Sequence, residues 1–168
     1  MVRRSQRGLG RGHALTRTDA ALRVHRAAAR VVLAGLSGLY LWAVAWITLR
    51  AQPYGSDIAG VLDRVLAWFA ERESTRWITF TVVEFSANVA MFVPLGLFAV
   101  LWFGVRGWWT APLLGLALSL AIEALQATLL DTRISDVRDI VANTGGAVVG
   151  MLLMLLLAFL LSPAPPRR

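Results

Sequence analysis

The chain has 168 residues, 57% of them hydrophobic, with a mean hydropathy of +0.62; it is too apolar for a soluble domain and long enough for about four membrane spans with their connections. Its net charge of +7 is concentrated in residues 1–30, which hold eight Arg and one Asp, whereas residues 31–168 balance nine Arg against nine acids, and a basic segment directly ahead of a span points to the inner face of a membrane, so no nucleic-acid partner is expected. The absence of Cys excludes disulfides, iron–sulfur ligation and thiol nucleophiles, and with both histidines, His13 and His25, in the basic segment, a zinc site or a His-based triad would lie far from the other polar residues.

The N-terminal tail is rich in Gly and Arg up to Thr16, after which Thr18 and Asp19 offer N-cap oxygens for a short basic helix leading into the membrane. Val31 to Leu49 is free of charge and, at the helical rise, about 28 Å long, matching the hydrocarbon thickness. It is longer than a secretory signal core and is expected to stay as an uncleaved first span. In the following loop, Gln52 to Trp77, the residues Ile58, Val61, Leu62, Val65, Leu66 and Phe69 recur at helical spacing after Ser56. This pattern predicts an amphipathic helix capped by Ser56, lying in the membrane interface or docked over the bundle.

The second span is expected from Thr79 to Phe103, with Pro94 kinking it near Ala90. Gly104 to Gly107, containing Arg106, reads as a tight turn, and the third span follows from Trp108 to about Leu130, interrupted near its end by Glu123 and Gln126. Asp131 to Asp139 is a short polar loop, and Ile140 to Leu161 is the fourth span. Pro163, Pro165 and Pro166 then end the last helix. The fold class is thus all-α: a four-helix transmembrane bundle with an additional outer amphipathic helix. It is organised as a basic tail (1–30), a first span with that helix (31–78), a three-helix region (79–161) and a short tail (162–168).

The basic tail, Arg106, Arg167 and Arg168 agree on a single topology, with both termini cytoplasmic. Glu84 in the second span and Glu123 in the third then lie at a common depth, roughly 8 to 10 Å from the outer ends of their helices. Glu84 with Asn88, Glu123 with Gln126, and Asp136 with Asp139 and Asn143 are spaced three or four apart, so each group lines one helix face. Arg133, in the loop joining the third and fourth spans, is the first candidate for the cation that balances these carboxylates, with Arg138 the second. Ionisable groups are costly in hydrocarbon, so these clusters point to one polar pocket in the outer half of the membrane.

These residues resemble the VanZ-like family of bacterial membrane proteins. The resemblance rests on Asn88-x3-Phe92-x-Pro94-x-Gly96, on Ser119-x3-Glu123-x2-Gln126, and on Arg133-x2-Asp136-x2-Asp139-x3-Asn143 followed by Gly145, Gly146 and Gly150. It covers about Glu84 to Gly150; the tail, the first span and the amphipathic helix fall outside it. The resemblance implies a multi-pass protein of the bacterial cell membrane linked to the cell envelope and to glycopeptide resistance, with no agreed biochemical activity. The partners it suggests for the pocket are a lipid or glycopeptide headgroup.

Several readings of the individual residues stay open. Glu123 is a proton-transferring or ligand-binding group, or a carboxylate paired with Arg133. Asn88 and Gln126 are amides that join helices or line the pocket. Asp136 is a pocket residue or only the cap of the fourth span. Arg133 suits a phosphate or carboxylate through its planar fork. Two Asp with Glu123 could hold a divalent cation, but there is no dense carboxylate loop, so no metal and no cofactor is expected. Gly146 and Gly150 either pack helices or join two copies of the chain. Ser37, Ser86 and Ser119 have no Lys or His nearby in sequence, which argues against a serine hydrolase. The leading expectation is an outer pocket binding an anionic or amphiphilic headgroup. The alternatives are an enzyme acting on a lipid-linked envelope substrate through Glu123 or Asp139, and a small proton-coupled transporter.

Overall fold

The computed structural model describes residues 6–50, 56–129 and 136–162, with side chains described from Asp19, Ile58 and Asp136 onward in those three stretches. The elements in order are α1 (Gln6–Thr48), α2 (Ser56–Ala70), α3 (Phe80–Phe103), a single 3₁₀ turn (Val105–Gly107), α4 (Thr110–Leu129) and α5 (Val137–Leu160). Among the described residues four helical segments are long and apolar enough to cross a membrane: Asp19–Thr48, Phe80–Phe103, Thr110–Leu129 and Val137–Leu160.

Two compact units are distinguished, Met1–Leu39 and Tyr40–Arg168. The first holds most of α1. The sequence predicts a short basic helix that starts at Thr18 and leads into a span from Val31; α1 starts earlier, at Gln6, and runs as one helix to Thr48. The reason is that charge does not end a helix: Ala20, Ala21, Leu22, Ala27, Ala28 and Ala29 are strong helix formers, and no Pro intervenes. Hydropathy marks where the apolar segment starts, which is a different boundary from the start of the helix.

The second unit holds the last turns of α1 and all later elements. Helix α2 forms where the amphipathic pattern predicts, and Ile58, Val61 and Val65 on its apolar stripe remain exposed. It ends in a clip: the Arg72 guanidinium lies 3.6 Å from the Trp68 ring centre and donates to the Trp68 carbonyl at 2.8 Å. Thr79 caps α3 by accepting from the Val82 amide, and α3 runs unbroken through Pro94. Gly104 reverses the chain at φ 73°, a conformation only glycine adopts freely, while its amide donates to the Val100 carbonyl at 2.8 Å.

The centre of the unit is the contact of α3 with α5. A Cβ on Gly146 would collide with the Val89 carbonyl oxygen, one on Gly150 with the Val93 carbonyl oxygen, and one on Gly96 with the Ala147 carbonyl oxygen. The two backbones therefore touch, as small residues permit between membrane helices. The face carrying Gly146 and Gly150, considered above as a subunit contact, is occupied within the chain by α3. Helix α4 seats on the same segment, with Gly115 against the Ala147 methyl. Val44, Phe92, Leu95, Ile122 and Ala147 form one apolar cluster, and Ala99, Val100, Ala111 and Met151 a second. Large apolar side chains cover the outside, Trp42, Leu101, Leu113, Leu152 and Leu156 among them, a surface suited to lipid.

Candidate functional site

The four spans α1, α3, α4 and α5 alternate in direction, so the C-terminal ends of α1 and α4 and the N-terminal ends of α3 and α5 meet at one end of the unit. On each helix the inward stripe changes character at that end. Helix α3 carries Glu84 and Asn88, then Phe92 and Gly96; α5 carries Asp139 and Asn143, then Ala147 and Met151; α4, read backwards, carries Gln126 and Glu123, then Ser119 and Gly115. Spacing of three or four residues keeps each series on one face.

The polar residues surround a cavity of about 100 Å³. Its polar lining is Glu84, Asn88, Glu123, Gln126, Asp139, Asn143 and Thr48, and its apolar lining is Ile47, Ala87, Met91 and Ile122. None of these lining residues is cationic. At about 30 Å³ per water, the space suits a few waters or one small polar group.

Three hydrogen bonds tie four helices around the cavity. Asn88 Nδ2 donates to Asp139 Oδ1 at 2.8 Å, joining α3 to α5. Asn143 Nδ2 donates to Ser119 Oγ at 2.9 Å, joining α5 to α4. Gln126 Nε2 donates to the Thr48 carbonyl at 2.8 Å, joining α4 to the end of α1. Farther along α1, the Tyr40 hydroxyl donates to the Met91 carbonyl at 2.9 Å. In hydrocarbon such bonds replace partners that water would supply.

One buried polar atom at the site is unsatisfied, and one carboxyl group there has no partner among the described residues. Glu123 is only 8% exposed, lines the cavity and has no hydrogen-bond or ion-pair partner among the described residues. Asn143 is 4% exposed, and its Oδ1 is buried without a donor. Buried polar groups are nearly always paired, so each such exception calls for an explanation.

The structure separates residues that the sequence grouped. Asp136 is exposed, and its carboxylate accepts from the Arg138 amide at 2.8 Å, so it caps α5 and does not line the cavity. That cap starts α5 at Val137, which places Asp139 in the first helical turn rather than in a loop, where a carboxylate complements the helix dipole. Arg133, proposed above as the central cation, lies outside the described residues, as does the rest of segment 130–135. Sequence reasoning missed Thr48, Tyr40 and the part played by Ser119. Ser119 was legible through its register with Glu123 and Gln126; Tyr40 could have been noticed as the one tyrosine inside the apolar run Val31 to Leu49.

No curated protein matches the chain significantly, and no solved structure does so either. The sequence profile of the VanZ/LLP1 family matches residues 37–159. This extends the resemblance from the three polar motifs back through α2 into α1, so Thr48 and Glu84 lie within the family region. With four apolar spans and a match over most of its length, the chain is a membrane protein that belongs to the VanZ/LLP1 family.

Proposed function

We propose that this protein binds the headgroup of an amphiphile in the polar cavity at the end of its helices, with the apolar part of the ligand against the exposed apolar helix faces. One observation carries the reading: a cavity of about 100 Å³ lined by three carboxyl and three carboxamide side chains of α3, α4 and α5, while the other buried side chains among the described residues are apolar apart from Ser119. Intramembrane polar clusters are expensive and are kept for function. Arg133 is proposed to contact the phosphate or carboxylate of the headgroup. The distribution of Arg favours cytoplasmic termini and so places the cavity in the outer half of the membrane. The family likeness suggests a cell-envelope setting, with glycopeptide resistance as its cellular expression.

The test is a phospholipid with a photoreactive group on its headgroup, reconstituted with the purified protein and mapped after irradiation. Adducts are expected within 84–88, 122–126 and 139–143, and Arg133→Ala should lower their yield about tenfold, the loss of one charge-assisted contact. Adducts confined to lipid-facing residues such as Phe103 and Leu156 would refute the headgroup site.

A second reading, an enzyme acting on a lipid-linked envelope substrate, is favoured by the burial of Glu123 without a partner among the described residues, as suits a proton-transfer group. Asp139, held by Asn88, is the weaker candidate. Recovery of chemically altered lipid from the same preparation would support catalysis, and full recovery of unaltered lipid would exclude it for that substrate. Transport would need a polar path beyond the cavity, where the cluster of Ala99, Val100, Ala111 and Met151 is apolar.

A further inference from the structure

We infer that the cavity is selective for a cationic amine bearing N–H groups, with the Glu123 carboxylate as its counter-ion. The inference rests on the headgroup reading above and names the chemical class of the group that enters.

The argument starts from which hydrogen-bonding groups are engaged. Asn88, Gln126 and Asn143 each turn the amide nitrogen onto a neighbouring helix. Among the described residues, two acceptors at the site have no partner: the Glu123 carboxyl group, which lines the cavity, and Asn143 Oδ1, which is buried with no donor. A ligand that satisfies these two groups must supply donors. A buried acceptor left without a donor is destabilising, and a buried charge more so, so acceptor-only anions gain nothing from these two groups.

Charge and size narrow the class further. A carboxylate that is nine-tenths buried gains most from a compact cation, because Coulomb attraction rises as the dielectric falls. A primary ammonium group is such a cation, with three N–H donors, and it fits a cavity of about 100 Å³. A quaternary trimethylammonium group carries the same charge but no N–H, so it leaves both acceptors unsatisfied.

Two sources share this chemistry, an aminophospholipid headgroup and a soluble amine. The full-length protein in detergent would be titrated with short-chain phospholipids carrying ethanolamine, choline or glycerol headgroups, with bound lipid read by native mass spectrometry. The ethanolamine lipid is expected to be retained at least about tenfold more tightly than the choline lipid, consistent with a buried charged hydrogen bond. Glu123→Gln should erase that preference, whereas Glu71→Gln, an exposed residue outside the cavity, should not. Competition by millimolar methylammonium would support the amine chemistry and assign it to a soluble source.

Equal retention of the three lipids, with headgroup adducts still mapping to the cavity, would overturn the amine inference and leave the headgroup reading standing. Preference for the glycerol lipid would overturn it in favour of an anion. If no lipid is retained and no adduct forms in the cavity, both readings fall. Should Glu123→Gln not fold, the headgroup comparison on the native chain decides alone.

Discussion

Asn143 holds two positions at once, as the link between α5 and α4 and as a wall of the cavity. Its amide nitrogen meets Ser119, which is fully buried on α4. Ser119→Ala would leave that N–H without its acceptor on the fully buried side of Asn143. We expect a loss of about 1–2 kcal/mol for Ser119→Ala or Asn143→Ala alone. A double-mutant cycle should show a coupling of about 0.6–1.7 kcal/mol, the range for hydrogen bonds between membrane helices. Reversible unfolding in mixed micelles would measure it, and strictly additive losses would show that the bond contributes nothing. At this scale the sequence was partly legible: the spacing of Ser119, Glu123 and Gln126 placed all three on one face. It could not assign partners, and for that reason Asp136 and Asp139, similar in sequence, were read together although one caps α5 in the open and the other meets Asn88.

Helices α3 and α5 approach to backbone contact because three glycines remove the side chains that would keep them apart. Gly145 and Gly146 offer a direct comparison. They are adjacent on the same helix, yet a Cβ at 145 meets nothing within 4 Å, while one at 146 overlaps the Val89 carbonyl oxygen. Gly145→Ala should be neutral or raise stability by up to about 1 kcal/mol through helix propensity. Gly146→Ala should cost about 1–3 kcal/mol, since a rigid carbonyl cannot rotate away. Melting temperatures of the two purified variants would check this, and similar values would contradict the close approach. The glycine pair Gly146 and Gly150 was legible as a packing device, but spacing describes only one surface, and nothing in it says whether α3 or a second chain lies across. The start of α1 was misread for a related reason: the composition of one segment reports where it prefers oil, which says little about where its hydrogen-bonded turns begin.

For the whole molecule, the proposed topology with cytoplasmic termini has the α2–α3 connection facing outward and the α3–α4 turn facing the cytoplasm. The chain has no cysteine, so single-cysteine labelling needs no prior removal. Ser74→Cys should react with a membrane-impermeant maleimide in intact cells and Val105→Cys only after permeabilisation; the reverse pattern would move the cavity to the inner half of the membrane. The sequence by itself determined the number of apolar spans, the face of each of the last three that carries polar residues, and the end of the bundle at which those residues gather. Hydropathy and a period of 3.6 are local properties, and successive spans must alternate in direction. Only the tertiary structure decided the pairings: Asn88 with Asp139, Asn143 with Ser119, Gln126 with the Thr48 carbonyl, and Glu123 with no partner among the described residues. Those depend on how far each helix is rotated toward its neighbours, and that rotation is fixed by the close approach at Gly96, Gly146 and Gly150, a property of two helices together that neither stretch of sequence contains alone.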